Sequence, residues 1–445
     1  MKKSKIALLL CFVLLFNLVF TGCGAKTLSA DISDYTIVRP AKATDYEINA
    51  AKYIQEQIKE LTGKKLKVVK DSESKKDNEI LVGLTNRELS KASANTKTQG
   101  LQFVINAKDS AVSVYGYKFL VAGAAYRFIN EYFKDGKFNN NIPQQAKVYV
   151  PTPEKAKSYF LLIGDGMGPV QTRLFEFYDS KISQYSDNEK MFYGYLLPTI
   201  GDIKTDSNNG TTDSAAAATA LATGFRTENG YVGIDRDGNE LKSLTELAVE
   251  LGYKTAVMST EASTGATPAG FSAHTNSRED TYGILADQML MKDTEIICDL
   301  TSFASFEETE QVVRNTLKKL ENDKGTFLMY EEAYIDKYSH GNDIDNTFLM
   351  MIRFNQVIGA FMEYAMYNPD TMIIITADHE TGGLEIGEDG KPEYTTGSHT
   401  SEPVKIFAYG VGTEKFNGQK MRNIEIPKFI AADWGINNFG YQTSK

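Results

Sequence analysis

Three apolar runs along the chain each end in a carboxylate. They are residues 159–164 before Asp165, residues 326–330 before Glu331, and residues 372–376, which precede Asp378 and His379. Continuous apolar runs of this length, rich in Ile, Leu, Phe or Met, are typical of buried parallel strands. Ligands of open α/β sheets bind beyond the carboxyl ends of such strands. The pattern therefore predicts an α/β fold with a mainly parallel sheet, and these acids are expected to converge at one of its edges.

A different pattern fills residues 30–150, where short strand and helix signals alternate. An amphipathic stripe closed by a glycine predicts a first helix, and it consists of Tyr46, Ile54, Ile58, Leu61 and then Gly63. Further elements are predicted as strands at 66–69, 80–82, 103–105 and 112–115 and a helix at 119–133. Polar residues and prolines follow, so we place a domain boundary near Val150. Residues 23–150 would form a small α/β accessory domain with an N-terminal tether, and residues 151–445 a larger catalytic domain.

The first residues have the layout of an export signal. Three lysines precede an apolar run at residues 6–20, which is short for a stable membrane span. The run ends in Phe-Thr-Gly-Cys, which resembles a bacterial lipobox with Cys23 as the lipidated residue. We therefore expect residues 1–22 to be a lipoprotein-type signal peptide and the mature chain to be lipid-anchored outside the bacterial cytoplasmic membrane. An uncleaved anchor and ordinary secretion are the alternatives.

The composition indicates how the fold is stabilised and which partners the chain can bind. Hydrophobic residues make up 42% of the 445 residues, which suits a core for two domains. Once the signal is removed, Cys298 is the only interior cysteine, so no intramolecular disulfide is expected. The formal charge is -10, and it becomes -13 without the three signal lysines. Because such a field repels polyanions, nucleic acid is not an expected partner.

All four histidines lie in short segments, most of which also contain carboxylates. The segments are ATPAGFSAHTNSR, YEEAYIDKYSH, IIITADHE and TGSHTSEPVKIFAYG. Imidazole and carboxylate together form the ligand set of zinc and similar divalent ions. Asp336 and His340 are four residues apart, so on a helical turn they share one face. Each side chain alone could be a loop residue bonded to backbone amides. Several carboxylates at strand ends, however, seldom gather without an ion that neutralises their repulsion.

Ser214 is the candidate nucleophile, at the start of an alanine-rich run with high helix propensity. As an N-cap or first-turn residue it could simply cap the helix. The positive helix end could equally stabilise an alkoxide and a bound phosphate oxygen. A hydroxyl needs a base or a metal to become nucleophilic, and no histidine neighbours Ser214 in sequence, so activation by a metal is favoured. The G-x-S-x-G elbow of α/β hydrolases is missing from this segment, which weighs against a Ser-His-Asp esterase.

Taken together, the motifs GDGMG, TDSAA, ATPAG and HTNSR and the later histidine segments resemble those of the alkaline phosphatase family, in the family's order. The resemblance extends from about Lys157 to Gly412. It implies an alkaline-phosphatase-like sandwich with a mainly parallel central sheet flanked by helices, preceded here by the small α/β domain.

The resemblance also assigns roles to individual residues. It implies two zinc ions and probable magnesium, with Ser214 as the phosphorylated serine and Arg278 as the residue that grips phosphate. The first zinc would be bound by Asp336, His340 and His399, and the second by Asp378, His379, Asp165 and Ser214. The magnesium ligands would be Asp165, Thr267 and Glu331. The expected reaction is hydrolysis of small phosphate monoesters, in which Ser214 is first phosphorylated and the phosphoserine is then hydrolysed.

Four residues depart from the family's pattern or stand outside it. Glu332 replaces a common glycine and could shift the backbone near Glu331. Gly265 stands where Asp or His is frequent and could alter occupancy of the third metal site. Lys337 is either a lysine that reaches phosphate through water or an exposed lysine. His274 matches no ligand, so we expect it to have a structural role or to support a ligand.

The N-terminal third has its own resemblance, to the small α/β domain that precedes the catalytic barrel of some β-hexosaminidases and α-glucuronidases. The matching pattern is IVRPAKAT, AAKYIQEQIKELTGKKL and EILVG, and it carries no catalytic residue. We expect a scaffold or docking module. Alternatives for the whole chain are a phosphodiesterase or nucleotide pyrophosphatase of the same superfamily, or a surface lipoprotein that binds without catalysis. Whether the subunits form a homodimer is left open.

Overall fold

The structure, a computed structural model, describes residues 27–178, 191–300 and 305–440. The predicted signal peptide at residues 1–22 and the predicted lipidation site at Cys23 lie outside these ranges. Within the described ranges, no helix combines the length and hydrophobicity needed to cross a membrane.

The N-terminal part of the chain forms a six-stranded sheet in the order β2-β1-β3-β5-β4-β8. Its strands, with the short hairpin β6–β7 beside them, are β1 (Tyr35–Arg39), β2 (Lys67–Lys70), β3 (Asn78–Val82), β4 (Phe103–Lys108), β5 (Ala111–Tyr115), β6 (Phe133–Lys134), β7 (Lys137–Phe138) and β8 (Lys147–Tyr149). β2, β1, β3 and β5 are parallel, whereas β4 runs antiparallel to both β5 and β8. The strands predicted for this region are therefore present.

Three helices accompany this sheet: α1 (Asp45–Thr62), α2 (Glu88–Ala94) and α3 (Leu120–Tyr132). α1 begins with a capping box, in which Thr44 and Glu47 bond each other's backbone amides. It ends at Gly63, whose φ of 73° is the left-handed conformation that glycine adopts without strain. The glycine predicted to close the first helix thus does so.

The second sheet has eight strands in the order β12-β11-β13-β9-β14-β19-β10-β20. The strands after residue 150, including two short antiparallel pairs, are β9 (Ser158–Gly164), β10 (Thr199–Lys204), β11 (Lys254–Ser259), β12 (Thr294–Ile297), β13 (Thr326–Glu332), β14 (Thr371–Thr376), β15 (Glu380–Thr381), β16 (Leu384–Ile386), β17 (Pro392–Tyr394), β18 (His399–Thr400), β19 (Val404–Tyr409) and β20 (Lys420–Arg422). The five neighbouring strands β12, β11, β13, β9 and β14 are mutually parallel. The predicted α/β class with a mainly parallel central sheet is confirmed.

The middle of this sheet is fully buried, which explains the continuous apolar runs in the sequence. β9, β13 and β14 are buried at every position. β13 lies directly beside β9, and β14 lies on the other side of β9. Since all three are parallel, their carboxyl ends meet at one edge of the sheet.

Helices flank the large sheet and connect its strands. They are α4 (Ser214–Thr223), α5 (Leu244–Glu250), α6 (Ala266–Gly270), α7 (Thr281–Gln288), α8 (Phe306–Leu320), α9 (Tyr334–His340), α10 (Ile344–Tyr367) and α11 (Glu425–Asp433). α10 is the longest of them, and most of its residues are buried.

α10 also joins the two sheets, since α1 and α3 pack against it. Asn49 of α1 donates a hydrogen bond to Glu363 of α10 at 3.2 Å. Arg314 of α8 forms an ion pair with the same carboxylate. Buried apolar side chains from both parts form one continuous cluster. The division of the chain into two domains near Val150 stays a prediction.

Candidate metal centre and nucleophile

The predicted site residues lie at or next to the carboxyl ends of β9, β13 and β14. Asp165 follows β9, Glu331 lies near the end of β13, and Asp378 with His379 follows β14. The others come from the helices and loops above this edge, namely Ser214 on α4, Thr267 on α6, Asp336 and His340 on α9, His399 on β18, and Arg278 just before α7.

Asp336, His340 and His399 form a first group. One ligand atom from each lies within 4.8 Å of the others. The Nε2 atoms of His340 and His399 are 3.1 Å apart, and Oδ1 of Asp336 lies 3.4 Å and 3.5 Å from them. The two residues predicted to share one face of a helical turn therefore point at the same place as a histidine about 60 residues later in the sequence.

Backbone carbonyls orient both rings of this first group. Nδ1 of His340 lies 2.8 Å from the carbonyl oxygen of Gly397, and Nδ1 of His399 lies 2.8 Å from that of Thr212. Because a carbonyl can only accept, each Nδ1 carries a proton, and in the neutral ring Nε2 then has the free lone pair. This arrangement orients a histidine as a metal ligand.

A second group surrounds Nε2 of His379. Oγ of Ser214 lies 3.2 Å from this nitrogen, Oδ2 of Asp378 lies 3.1 Å from it, and Oδ1 of Asp165 lies 3.5 Å from it. Asp165, Asp336 and His379 also fall within 4.8 Å of one another, so the two groups adjoin through Asp336. A histidine is thus a neighbour of Ser214 in space, although none is near it in the sequence.

Thr381 links the two groups. Its hydroxyl donates to Oδ1 of Asp336 at 2.5 Å and lies 3.2 Å from Nδ1 of His379. Because the Thr381 hydroxyl donates its proton to the carboxylate of Asp336, its oxygen accepts a hydrogen bond from the N–H at Nδ1 of His379. The lone pair of His379 is therefore at Nε2, facing the second group.

A third group contains only oxygen atoms and consists of Asp165, Thr267 and Glu331. Glu331 is fully buried in β13, and one of its oxygens accepts a hydrogen bond from the hydroxyl of Ser259. Its Oε1 makes no hydrogen bond of normal geometry, nor do Oδ1 of Asp165 and Oγ1 of Thr267. Thr267 and Glu331 do interact with each other, but buried oxygens without a hydrogen bond of normal geometry are rare in folded proteins, so these three atoms are suited to bind a cation.

Asp213 caps the helix that begins with Ser214 and also binds Arg278. Its Oδ1 accepts from the backbone amide of Ala216 and so caps α4, and its Oδ2 lies 3.2 Å from Nη1 of Arg278. Ser214 is the first residue inside the helix, and Asp213 fulfils the capping role. The hydroxyl of Ser214 is thus not needed for capping, and a guanidinium is held beside it.

The carboxylates of the candidate ligand groups are buried and lie close to one another. Burial raises the pKa of Asp165 well above its usual range, and the charges of Asp378 and Asp336 raise it further. Bound cations would remove this repulsion, and the donor types fit zinc in the first two groups and magnesium in the third.

Comparison with known proteins agrees with this geometry. The sequence model of the family described as alkaline phosphatase matches residues 156–300 and 290–395, more than half of the chain. The chain belongs to the alkaline phosphatase family. The resemblance found in the sequence motifs is therefore confirmed.

Characterised relatives are also alkaline phosphatases. "Alkaline phosphatase 3" of Bacillus subtilis is 29% identical over 309 residues, which cover 57% of this chain and 66% of that protein. "Alkaline phosphatase 4" of the same organism is 27% identical over 315 residues, which cover 57% of this chain and 68% of that protein. The chain thus spans about two thirds of the length of these relatives.

Solved structures of alkaline phosphatases share the fold. That of the Antarctic bacterium TAB5 superimposes with a TM-score of 0.55 and 25% identity, covering 65% of this chain and 99% of that one. The structure from Thermus thermophilus superimposes with a TM-score of 0.54 at 16% identity, covering 64% of this chain and 93% of that one, and it supports the fold alone.

The residues that depart from the family's pattern have structural explanations. Glu332 is buried and bonds Nε of Arg353 at 2.6 Å, while the parallel register of β13 with β9 continues through it. Lys337 is exposed, which is one of the two expected alternatives, and it donates to Oε2 of Glu261 at 2.8 Å. His274 lies away from the three groups, with Nε2 3.1 Å from the carbonyl oxygen of Leu241, which fits the expected structural role.

Sequence reasoning missed several residues that support the centre. Thr381 and Asp213 are adjacent or nearly adjacent to predicted residues, in the segments DHET and TDSAA, and this proximity was the only available signal. Glu261 carries no motif of its own. Its contacts with Lys337 and with the surroundings of Gly265 appear only in three dimensions.

Proposed function

We propose that this protein is a metal-dependent phosphatase that hydrolyses small phosphate monoesters through a phosphoserine at Ser214. The observation that carries the proposal is the position of the Ser214 hydroxyl. It lies at the positive end of α4, 3.2 Å from Nε2 of His379 and next to the guanidinium held by Asp213. Membership of the alkaline phosphatase family supports the same reaction.

Arg278 provides the phosphate-binding group. Its guanidinium is 36% exposed and is bonded to Asp213 through Nη1, so other N–H groups remain for a ligand. A guanidinium can donate two parallel hydrogen bonds to two oxygens of a phosphate. Held at this position, it would orient the phosphorus atom towards Oγ of Ser214.

The reaction then follows from these positions. Oγ of Ser214 attacks phosphorus, the P–O bond to the alcohol breaks, and the alcohol leaves with a proton. Water attacks the phosphoserine, inorganic phosphate is released and the serine hydroxyl is restored. The free backbone amides and the positive end of α4 stabilise the negative oxygens in both steps.

The ligand groups support two zinc ions and one magnesium ion. The first and second groups combine imidazole with carboxylate, and the third has oxygen donors only. A solved mutant of the Antarctic relative has Mg bound in a site named M3. The bound cations would lower the pKa of the serine hydroxyl and neutralise the charge of the phosphate.

The experiment that tests the proposal compares p-nitrophenyl phosphate with the corresponding bis ester, using purified mature protein loaded with zinc and magnesium. We expect a higher kcat/KM for the monoester, complete loss on chelation, and trapping of phosphoserine by acid quench. A strong preference for the bis ester would favour a phosphodiesterase. Zinc-loaded protein that hydrolyses neither ester would favour a binding role.

We further propose that the protein acts outside the cytoplasmic membrane, anchored through lipid at Cys23. The support is the sequence of residues 1–23 alone. Metabolic labelling with a fatty acid in a bacterial host would test it, with Cys23→Ala as the control. Label retained in the variant, or missing from the wild type, would contradict the anchor.

A further inference from the structure

Gly265 occupies an ordinary backbone position that does not require glycine. It precedes α6 with φ -59° and ψ 156°, a conformation that any residue adopts. A Cβ built there would lie 2.7 Å from Cγ of Glu261 and closer still to its carboxylate. A side chain at residue 265 and the Glu261 side chain in its present position would therefore occupy the same space.

Glu261 is held firmly in this space. Its Oε2 accepts from Nζ of Lys337 at 2.8 Å, and its side chain is 16% exposed. Its Oε1 is the atom nearest to the position of a Cβ on Gly265, two residues before Thr267. One oxygen of the Glu261 carboxylate thus accepts from Lys337. The other lies beside α6, the short helix that contains Thr267.

Glu261 also interacts electrostatically with both carboxylates of that group. Burial raises the pKa of Glu331, and the charge of Glu261 is the next largest influence in the same direction. The same charge contributes to the raised pKa of Asp165. The hydroxyl of Ser259 donates to Oε2 of Glu331 and accepts from the backbone amide of Glu261 at 3.0 Å, so Glu261 lies in the region around Glu331.

That region also has buried oxygens that are suited to bind a cation. Oδ1 of Asp165, Oγ1 of Thr267 and Oε1 of Glu331 are buried without a hydrogen bond of normal geometry, and their residues are at least nine-tenths buried. Lys337 donates to Oε2 of Glu261, whereas Oε1 faces Gly265. Lys337 therefore neutralises only part of the negative charge of these carboxylates.

We propose that Glu261 is the fourth oxygen-bearing side chain of the third metal site, supplied from the loop after β11 in place of a side chain at residue 265. The inference rests on the proposed function for the presence of that site. The donor set then consists of Asp165, Thr267, Glu331 and Glu261, and all of the donor atoms are oxygens. Such a set selects a hard cation such as Mg²⁺ over Zn²⁺.

The test is calorimetric titration of Mg²⁺ into the full mature protein whose other sites are already loaded with zinc. Glu261→Gln keeps the size of the side chain and removes its charge. We expect it to weaken Mg²⁺ binding at least about tenfold. Zinc content and the unfolding midpoint should stay at the wild-type values, which would show that the fold is intact.

Two further variants separate a metal-site role from a simple ion pair. Lys337→Met removes the ion pair but leaves the carboxylate, so Mg²⁺ should bind as in the wild type or more tightly. In Glu261→Ala with Gly265→Asp, a carboxylate returns from the other position, and we expect Mg²⁺ affinity to recover. Glu250→Gln, which alters an exposed glutamate paired with Lys242, is the matched control and should change nothing.

Unchanged Mg²⁺ affinity in Glu261→Gln would overturn the inference, as would equal weakening by Lys337→Met. Neither result would affect the proposed function if the wild type still hydrolyses p-nitrophenyl phosphate. Conversely, a wild type without hydrolysis whose Mg²⁺ binding still depends on Glu261 would refute the proposed function and support the role of Glu261.

Discussion

The hydroxyl of Thr381 lies 2.5 Å from Oδ1 of Asp336 and donates its proton to that carboxylate. The same oxygen accepts from Nδ1 of His379, at 3.2 Å. One hydroxyl thus orients a ligand of the first group and a ligand of the second. Such supporting contacts fix the tautomer of a histidine and the direction of its lone pair.

Replacing Thr381 by Val should weaken zinc binding while leaving the fold intact. Val has the same shape but neither donates to Asp336 nor accepts from His379, so both ligands lose their orientation. We expect zinc affinity to fall about 10- to 100-fold. Competition with a chromophoric chelator measures it. Thr381→Ser keeps the hydroxyl and should stay close to the wild type, and equal loss in both variants would contradict this role.

Two serines at helix starts should behave in opposite ways when changed to alanine. Ser214 is not the cap of α4, so Ser214→Ala should leave stability unchanged but reduce monoester hydrolysis by at least about three orders of magnitude. Ser243 forms the capping box of α5 with Glu246, so Ser243→Ala should cost about 1 kcal/mol of unfolding free energy and leave kcat unchanged. Urea unfolding and p-nitrophenyl phosphate turnover measure the two effects. Loss of activity in both variants would point to a general structural effect.

The buried pair of Glu332 and Arg353 should matter for stability. Glu332 is fully buried and Arg353 is 5% exposed, and their side chains share two hydrogen bonds. Glu332→Gln leaves the arginine charge without a counter-ion, so we expect a loss of about 3–5 kcal/mol in unfolding free energy. Denaturant titration measures this loss.

The double variant Glu332→Gln with Arg353→Met provides the control. It removes the stranded charge and should recover a substantial part of the lost stability, because replacing both members of a buried pair costs less than removing one. If the double variant is less stable than Glu332→Gln alone, the ion pair is not the cause of the destabilisation.

The sequence was sufficient to predict the parallel centre of the large sheet and the gathering of the candidate ligands at its edge. Asp165, Glu331 and Asp378 each directly follow or lie within a strong apolar run, so a local pattern marked both the strand and the acid. The strands that follow β14 in the sheet order, namely β19, β10 and β20, were not predicted. β10 has the sequence TIGDIK, in which polar residues and a glycine weaken the pattern, and it pairs antiparallel with β19.

The supporting contacts of the centre could not be predicted from the sequence. Thr381 bonds a residue 45 positions earlier, and Lys337 bonds one 76 positions earlier. Neither threonine nor glutamate in a loop has a periodicity or spacing that indicates such a partner. These contacts depend on which loops the sheet order brings together, which is known only once the strands are placed.

Removal of metal should destabilise the protein, since the ligand groups contain buried carboxylates that repel one another. Oδ1 of Asp165, Oδ2 of Asp378 and Oε1 of Glu331 are buried without hydrogen bonds of normal geometry. A cation binds these oxygens in the folded state, whereas the unfolded chain, with three cysteines and four histidines, offers no assembled site. Each zinc site should therefore add about 2.7 kcal/mol of stability at a free zinc concentration of 100 times its Kd.

Thermal unfolding of chelated protein at increasing free zinc concentrations, at a fixed pH of about 8, tests this expectation. The midpoint should rise with zinc concentration. His340→Asn with His399→Asn removes two ligands of the first group and leaves the second, so its midpoint should rise by a smaller amount. A midpoint independent of zinc in the wild type would mean that the first and second groups do not bind the ion in the folded state.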